Sequence, residues 1–72
     1  MANGLPYIAN RRLYNAVRFS LTMQRDGVHP EVANSRAAEY WGCYLPQVIS
    51  YCDAAPPWLK GKGEPPEERE AG

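Results

Sequence analysis

The fifteen residues Ala37-Ala38-Glu39-Tyr40-Trp41-Gly42-Cys43-Tyr44-Leu45-Pro46-Gln47-Val48-Ile49-Ser50-Tyr51 constrain this chain more than any other stretch. Small or apolar residues fall at 37, 38, 41, 43, 48 and 51, the spacing of two short helices rather than of a strand. Gly42 sits where the first helix must stop, because glycine enters the left-handed conformation of a helix C′ position without a Cβ penalty. Pro46 sits where the second can begin, since the first helical turn needs no donor from its earliest residues. The two helices are therefore joined by a tight turn.

The rest of the chain supplies one longer helix and two irregular ends. Asn3, Gly4 and Pro6 keep Ala2 to Tyr7 irregular. The pattern predicts helix 1 from Ile8 or Ala9 to Arg25, with Gly27 as its stop signal. Leu13, Tyr14, Val17 and Leu21 form one apolar stripe, and Ala16, Phe19 and Met23 form a second beside it. One helical hairpin covers one stripe. The other must face a third element, a second subunit or a partner. Helix 2 opens at Pro30, with His29 as its capping neighbour and Glu31 at the positive end of the helix dipole. Helix 3 opens near Pro46 and turns Val48, Ile49 and Cys52 inward. Pro56 and Pro57 end it. Trp58 and Leu59 are expected to fold back onto the helices. The polar Pro/Gly-rich segment from Lys60 to Gly72 reads as a disordered tail. The expectation is an all-α, three-helix domain over residues 1–59, followed by the tail at 60–72.

Size and composition then narrow the function. Fewer than sixty residues remain to fold, and a domain of that size buries only about 60% of its unfolded surface. Help from a disulfide is not expected. Cys43 and Cys52 are the two cysteines, and no leader-like apolar segment opens the chain, so a reducing cytoplasm is the expected setting. Cys43, Cys52 and His29 fall short of the roughly four ligands of a structural zinc site, so neither metal nor cofactor is expected. No apolar run approaches the roughly 20 residues of a membrane span. Catalysis is not expected either. His29 and Cys43 flank opposite ends of helix 2, about 15 Å or more apart, and no catalytic carboxylate pair or phosphate-binding glycine loop appears.

Net charge is zero. Residues 1 to 58 carry five basic and four acidic side chains, and residues 59 to 72 carry three and four. Affinity for nucleic acid that ignores sequence comes mostly from Lys and Arg neutralising phosphates, and there is no excess of them here. Arg11, Arg12 and Arg18 nonetheless give helix 1 a basic side, to which Arg25 and Arg36 add. Arginine grips phosphate or carboxylate in a bidentate way, so DNA and an acidic protein surface remain equally open partners. The aromatics are denser than so small a core requires. Tyr40, Trp41, Tyr44 and Tyr51 fall within twelve residues, with Trp58 beyond. Trp41 and Tyr51 are expected in the core, whereas Tyr40 and Tyr44 are expected to lie together at the surface. Exposed Tyr and Trp bring large contact area at low side-chain entropy cost, which is why they mark protein interfaces.

Ala38, Gly42 and Val48 are spaced as in the helix-turn-helix motif, a likeness that covers residues 34 to 53. That motif implies DNA binding. Yet the would-be recognition helix, Leu45 to Asp53, contains no Lys or Arg. Its polar groups are Gln47, which could read an adenine, Ser50, and Asp53, which would repel phosphate. With its length and charge, the chain resembles the small helix-turn-helix-like proteins of temperate phages that bind host regulators, the quorum-sensing anti-activators among them. The resemblance implies a homodimer that blocks a host transcription activator by protein contact, and it makes the Tyr40 region the place to look. The expected partner-binding residues are Tyr40, Tyr44, Gln47, Tyr51 and Arg36. Arg11, Arg12 and Arg18 are the expected contacts to phosphate or an acidic surface, and Ala16, Phe19 and Met23 the expected dimer interface. A DNA-binding transcriptional regulator is the alternative.

Overall fold

The computed structural model describes residue 5 and residues 7–62. The expected irregular start therefore falls largely outside the described residues, as does the expected tail from residue 63 onward. The chain is all-α, with α1 (Arg11–Arg25), α2 (Pro30–Trp41), α3 (Leu45–Ala54) and a closing 3-10 turn (Pro57–Lys60).

Local chemistry sets each boundary. α1 begins later than the apolar pattern suggests. The Asn10 side chain accepts a hydrogen bond from the Leu13 N–H at 3.0 Å, and this cap starts the helix at Arg11 rather than at Ile8 or Ala9. Ile8 instead packs into the core from the extended segment before the helix. α2 opens at Pro30 as expected. His29 Nδ1 accepts from the Glu31 N–H at 3.1 Å, and Glu31 lies in the first turn. At the other end Gly42 has φ +67°. The Cys43 N–H then reaches the Ala38 carbonyl at 2.8 Å, the cross-bond that closes a Schellman cap. The chain turns within Gly42-Cys43-Tyr44 and re-enters helix at Leu45.

The core lies where α1 packs against α2, α3 and the 3-10 turn. Leu13, Ala16, Val17 and Leu21 face Ala37, Ala38, Val48, Cys52 and Ala55. The inner face of α2 is built from Ala33, Asn34, Ala37 and Ala38, so the helices can approach closely. This explains a difference from expectation. No aromatic is fully buried. Trp41 and Tyr51 are half-buried and pack on the margin of the core, because an alanine-lined interior has no room for them. Ile49, expected inside, is 37% exposed. Trp58 and Leu59 do return to the domain, both half-buried, and Leu59 packs against the core. The Lys62 N–H bonds the Pro57 carbonyl at 2.9 Å, closing the 3-10 turn.

Candidate functional site

The second stripe of α1, expected to face a second subunit, is covered in part from within the same chain. α3 and the 3-10 turn cover α1 on the side that α2 leaves open. Ala16 is consequently 0% exposed and lies in the core of its own chain, so it has no surface to offer a second subunit. Met23 is half-buried against the same core. Of that stripe Phe19 reaches furthest out, at 37% exposure.

Phe19 meets the end of α2. Folding α1 and α2 about the turn at residues 26–29 brings it level with the last turn of α2. Its ring centroid lies 5.5 Å from that of Tyr40, and Tyr40 lies edge-on to Trp41 at 5.3 Å. Tyr40 is 72% exposed, because Ala37 and Ala38 have taken the inward positions of its helix. Trp41 is half-buried, and its Nε1–H has no acceptor among the described residues. Phe19, Tyr40 and Trp41 thus form one aromatic seam across two helices. The expected surface partner of Tyr40 was Tyr44, but the ring contacts of Tyr40 run to Phe19 and Trp41.

Tyr44 belongs to a second feature. It is 69% exposed and lines a groove of about 600 Å³ together with Asn10, Arg11, Arg12, Gly42 and Gln47. The start of α1 forms one wall, and the turn into α3 forms the other. Gly42 brings the turn against α1: a Cβ there would lie 3.9 Å from Arg12 Nη1, an ordinary contact. The structure therefore joins two sets of residues that the sequence kept apart, the arginines of α1 and the Tyr44–Gln47 pair. Among the described residues no acidic side chain lines the groove. The last ten residues carry one basic and four acidic side chains, so residues 1–62 carry seven basic and four acidic. Dividing the chain at residue 58 hides this segregation of charge.

The remaining expected site residues lie elsewhere. Arg18 is not free: its Nη1 donates to Tyr14 Oη at 2.9 Å, and its guanidinium carbon sits 5.7 Å from the centre of the Tyr14 ring. Arg36 is exposed on α2, and Tyr51 packs against the core. His29 caps the start of α2 while Cys43 follows its end, so the helix separates them.

The interior holds a polar cluster that the sequence did not reveal. Ser20 and Asn34 are both buried, and the Ser20 hydroxyl donates to Asn34 Oδ1. Gln24 Nε2 donates to the same hydroxyl at 3.2 Å. Cys52 lies close by. Burial pushes its thiol above the ordinary value of 9.0, while the neighbouring Ser20 hydroxyl and the charge of Lys60 oppose that rise. Both cysteines are free thiols. Among the described residues no His, Cys, Asp and Glu side chains gather into a metal-binding group, and no helix is long and apolar enough to cross a membrane.

No protein-family model, curated protein or solved structure matches the chain.

Proposed function

We propose that this chain is a small non-enzymatic protein-binding module that acts as a stoichiometric inhibitor of a host regulatory protein in the host cytoplasm, after the manner of the phage anti-activators it resembles. The observation that carries the reading is the aromatic seam. Tyr40 is 72% exposed and in ring contact with both Phe19, tilted, and Trp41, edge-on, so it is held in place before any partner arrives. A preorganised exposed ring loses little side-chain entropy on binding and brings a large apolar area, which makes it suited to anchor an interface. A second copy of the chain is the competing occupant of the seam.

The test is Tyr40→Ala, with circular dichroism to establish that the variant folds. Loss of an anchor costs about 2 kcal/mol or more, roughly 30-fold in affinity. Capture of a host protein by the wild type and loss of it by the folded variant supports the reading. Undiminished capture overturns it. Sedimentation of the wild type and Tyr40→Ala at tens of micromolar separates a second copy from a different partner.

DNA binding is the second reading. Ala38 and Val48 are buried and Gly42 is left-handed, the places their helix-turn-helix spacing requires, and Gln47 is exposed on the first turn of α3. A gel shift at low salt is its test. Arg11→Ala or Arg12→Ala should weaken DNA binding and flatten its salt dependence.

A further inference from the structure

We infer that the groove between the start of α1 and the turn into α3 is a carboxylate-recognition site that takes an extended, glutamate- or aspartate-bearing segment of a protein partner. The argument begins with charge. Arg11 and Arg12 occupy the first turn of α1, which contains no acidic residue. Positive side chains are disfavoured there, since the N-terminal end of a helix is itself positive. α3 also begins at this groove, and its capping position, Tyr44, makes no side-chain cap. Among the described residues the wall of the groove adds Gln47 and no carboxylate. Among the described residues no salt bridge or hydrogen bond engages the Arg11 or Arg12 side chain. Positive potential therefore accumulates in a concave site with nothing in the chain's described part to balance it.

Shape and donor chemistry select the occupant. Guanidinium groups pair with carboxylates in a bidentate way, and Tyr44 and Gln47 can add neutral hydrogen bonds. A groove of about 600 Å³ accepts an inserted side chain and its flanking backbone. Reading duplex DNA requires a convex element to enter the major groove. The element placed to do so, α3, contributes no basic residue and carries exposed Asp53. Charge and shape together favour an acidic peptide over a duplex. This site is lined by residues other than those of the aromatic seam, so it stands independently of the reading above.

The experiment is an amide-resolved NMR titration of the full chain with hexaglutamate at pH 7 and low salt. Hexaglutamine and a short DNA duplex are run as parallel arms. Saturable shifts at Arg11, Arg12, Tyr44 and Gln47 with hexaglutamate, and none with hexaglutamine, are expected. Arg11→Ala/Arg12→Ala should weaken the interaction at least tenfold. Arg12→Lys should recover part of it, because charge returns without the bidentate fork. Tyr40→Ala should leave the titration unchanged, so failure here is distinguishable from failure of the seam. The inference is overturned by shifts that do not saturate at millimolar peptide. It is also overturned by shifts centred on Arg18 and Arg25, or by the same affinity in the double-alanine protein. Duplex binding that depends on Arg11 and Arg12, without peptide binding, overturns it in favour of DNA.

Discussion

The Ser20 hydroxyl on α1 donates its hydrogen bond to the Asn34 carboxamide oxygen on α2, and neither residue is more than 6% exposed. This bond ties the two longest helices together inside an otherwise apolar interior. Removing the hydroxyl leaves a buried amide without its donor, at a cost of about 1–3 kcal/mol. Ser20→Ala should therefore lower the melting temperature by roughly 4–8 °C for each kcal/mol lost. Ser20→Ala combined with Asn34→Leu should recover part of the loss, because both polar groups are then gone. Thermal and urea denaturation followed by circular dichroism check the pair. Equal stability of the wild type and Ser20→Ala would show that the bond contributes nothing.

Gly42→Ala should destabilise the fold through its backbone alone. The added Cβ meets Arg12 Nη1 at 3.9 Å, an ordinary contact, but a side chain at φ +67° is strained. The expected cost is about 1–2 kcal/mol. Gly42→Asn should cost less, since asparagine tolerates the left-handed region. Denaturation midpoints that rank glycine above asparagine above alanine are the expected outcome, and any other order would remove the C-cap argument.

How much of this was legible in advance depended on whether a feature was local. α2 could be read end to end because Pro30, His29 and Gly42 act on their own neighbours. The start of α1 could not, because Ile8 and Ala9 continue the apolar pattern while the Asn10 cap interrupts it. The aromatic seam and the groove were illegible for a different reason. Each joins side chains distant in sequence, Phe19 with Tyr40 in one and Arg12 with Gln47 in the other, and their meeting depends on how the helices pack. Reserving Ala16 for a second subunit failed on the same ground. α3 and the 3-10 turn supply the missing cover from within the chain, and a helical wheel drawn for α1 alone does not contain them.

The two thiols should differ in reactivity and in their effect on stability. Cys43 is half-buried and Cys52 is buried. Burial raises the Cys52 pKa above 9.0, so at pH 8 its thiol stays protonated and shielded. A disulfide reagent should modify Cys43 first and reach Cys52 at the rate of unfolding. The linkage has a definite sign. A raised folded-state pKa means that the native state holds its proton more tightly than the unfolded chain. The contribution is present in full below about pH 9 and is lost as pH rises from there toward the folded value. Cys52→Ala should flatten the alkaline fall in stability. A Cys52 thiol that reacts as fast as Cys43 in the native protein would contradict the burial argument.

Tyr40→Ala should leave the fold nearly as stable as the wild type, and this is what makes it usable as a functional probe. Its ring is 72% exposed, so truncation removes little buried area. What it does remove is the tilted contact with Phe19 and the edge contact with Trp41. Aromatic pairs of this kind contribute about 0.5–1.5 kcal/mol beyond their buried area, and toward the lower end when solvent reaches the rings. Tyr51→Ala is the control. Tyr51 packs against the core, so its truncation should cost more, in the range of about 2–4 kcal/mol. Urea denaturation of the two variants beside the wild type measures the difference. A Tyr40→Ala protein that loses as much stability as Tyr51→Ala would mean that the seam holds the helices together rather than waiting for a partner. Loss of binding by that variant would then carry no information about an interface.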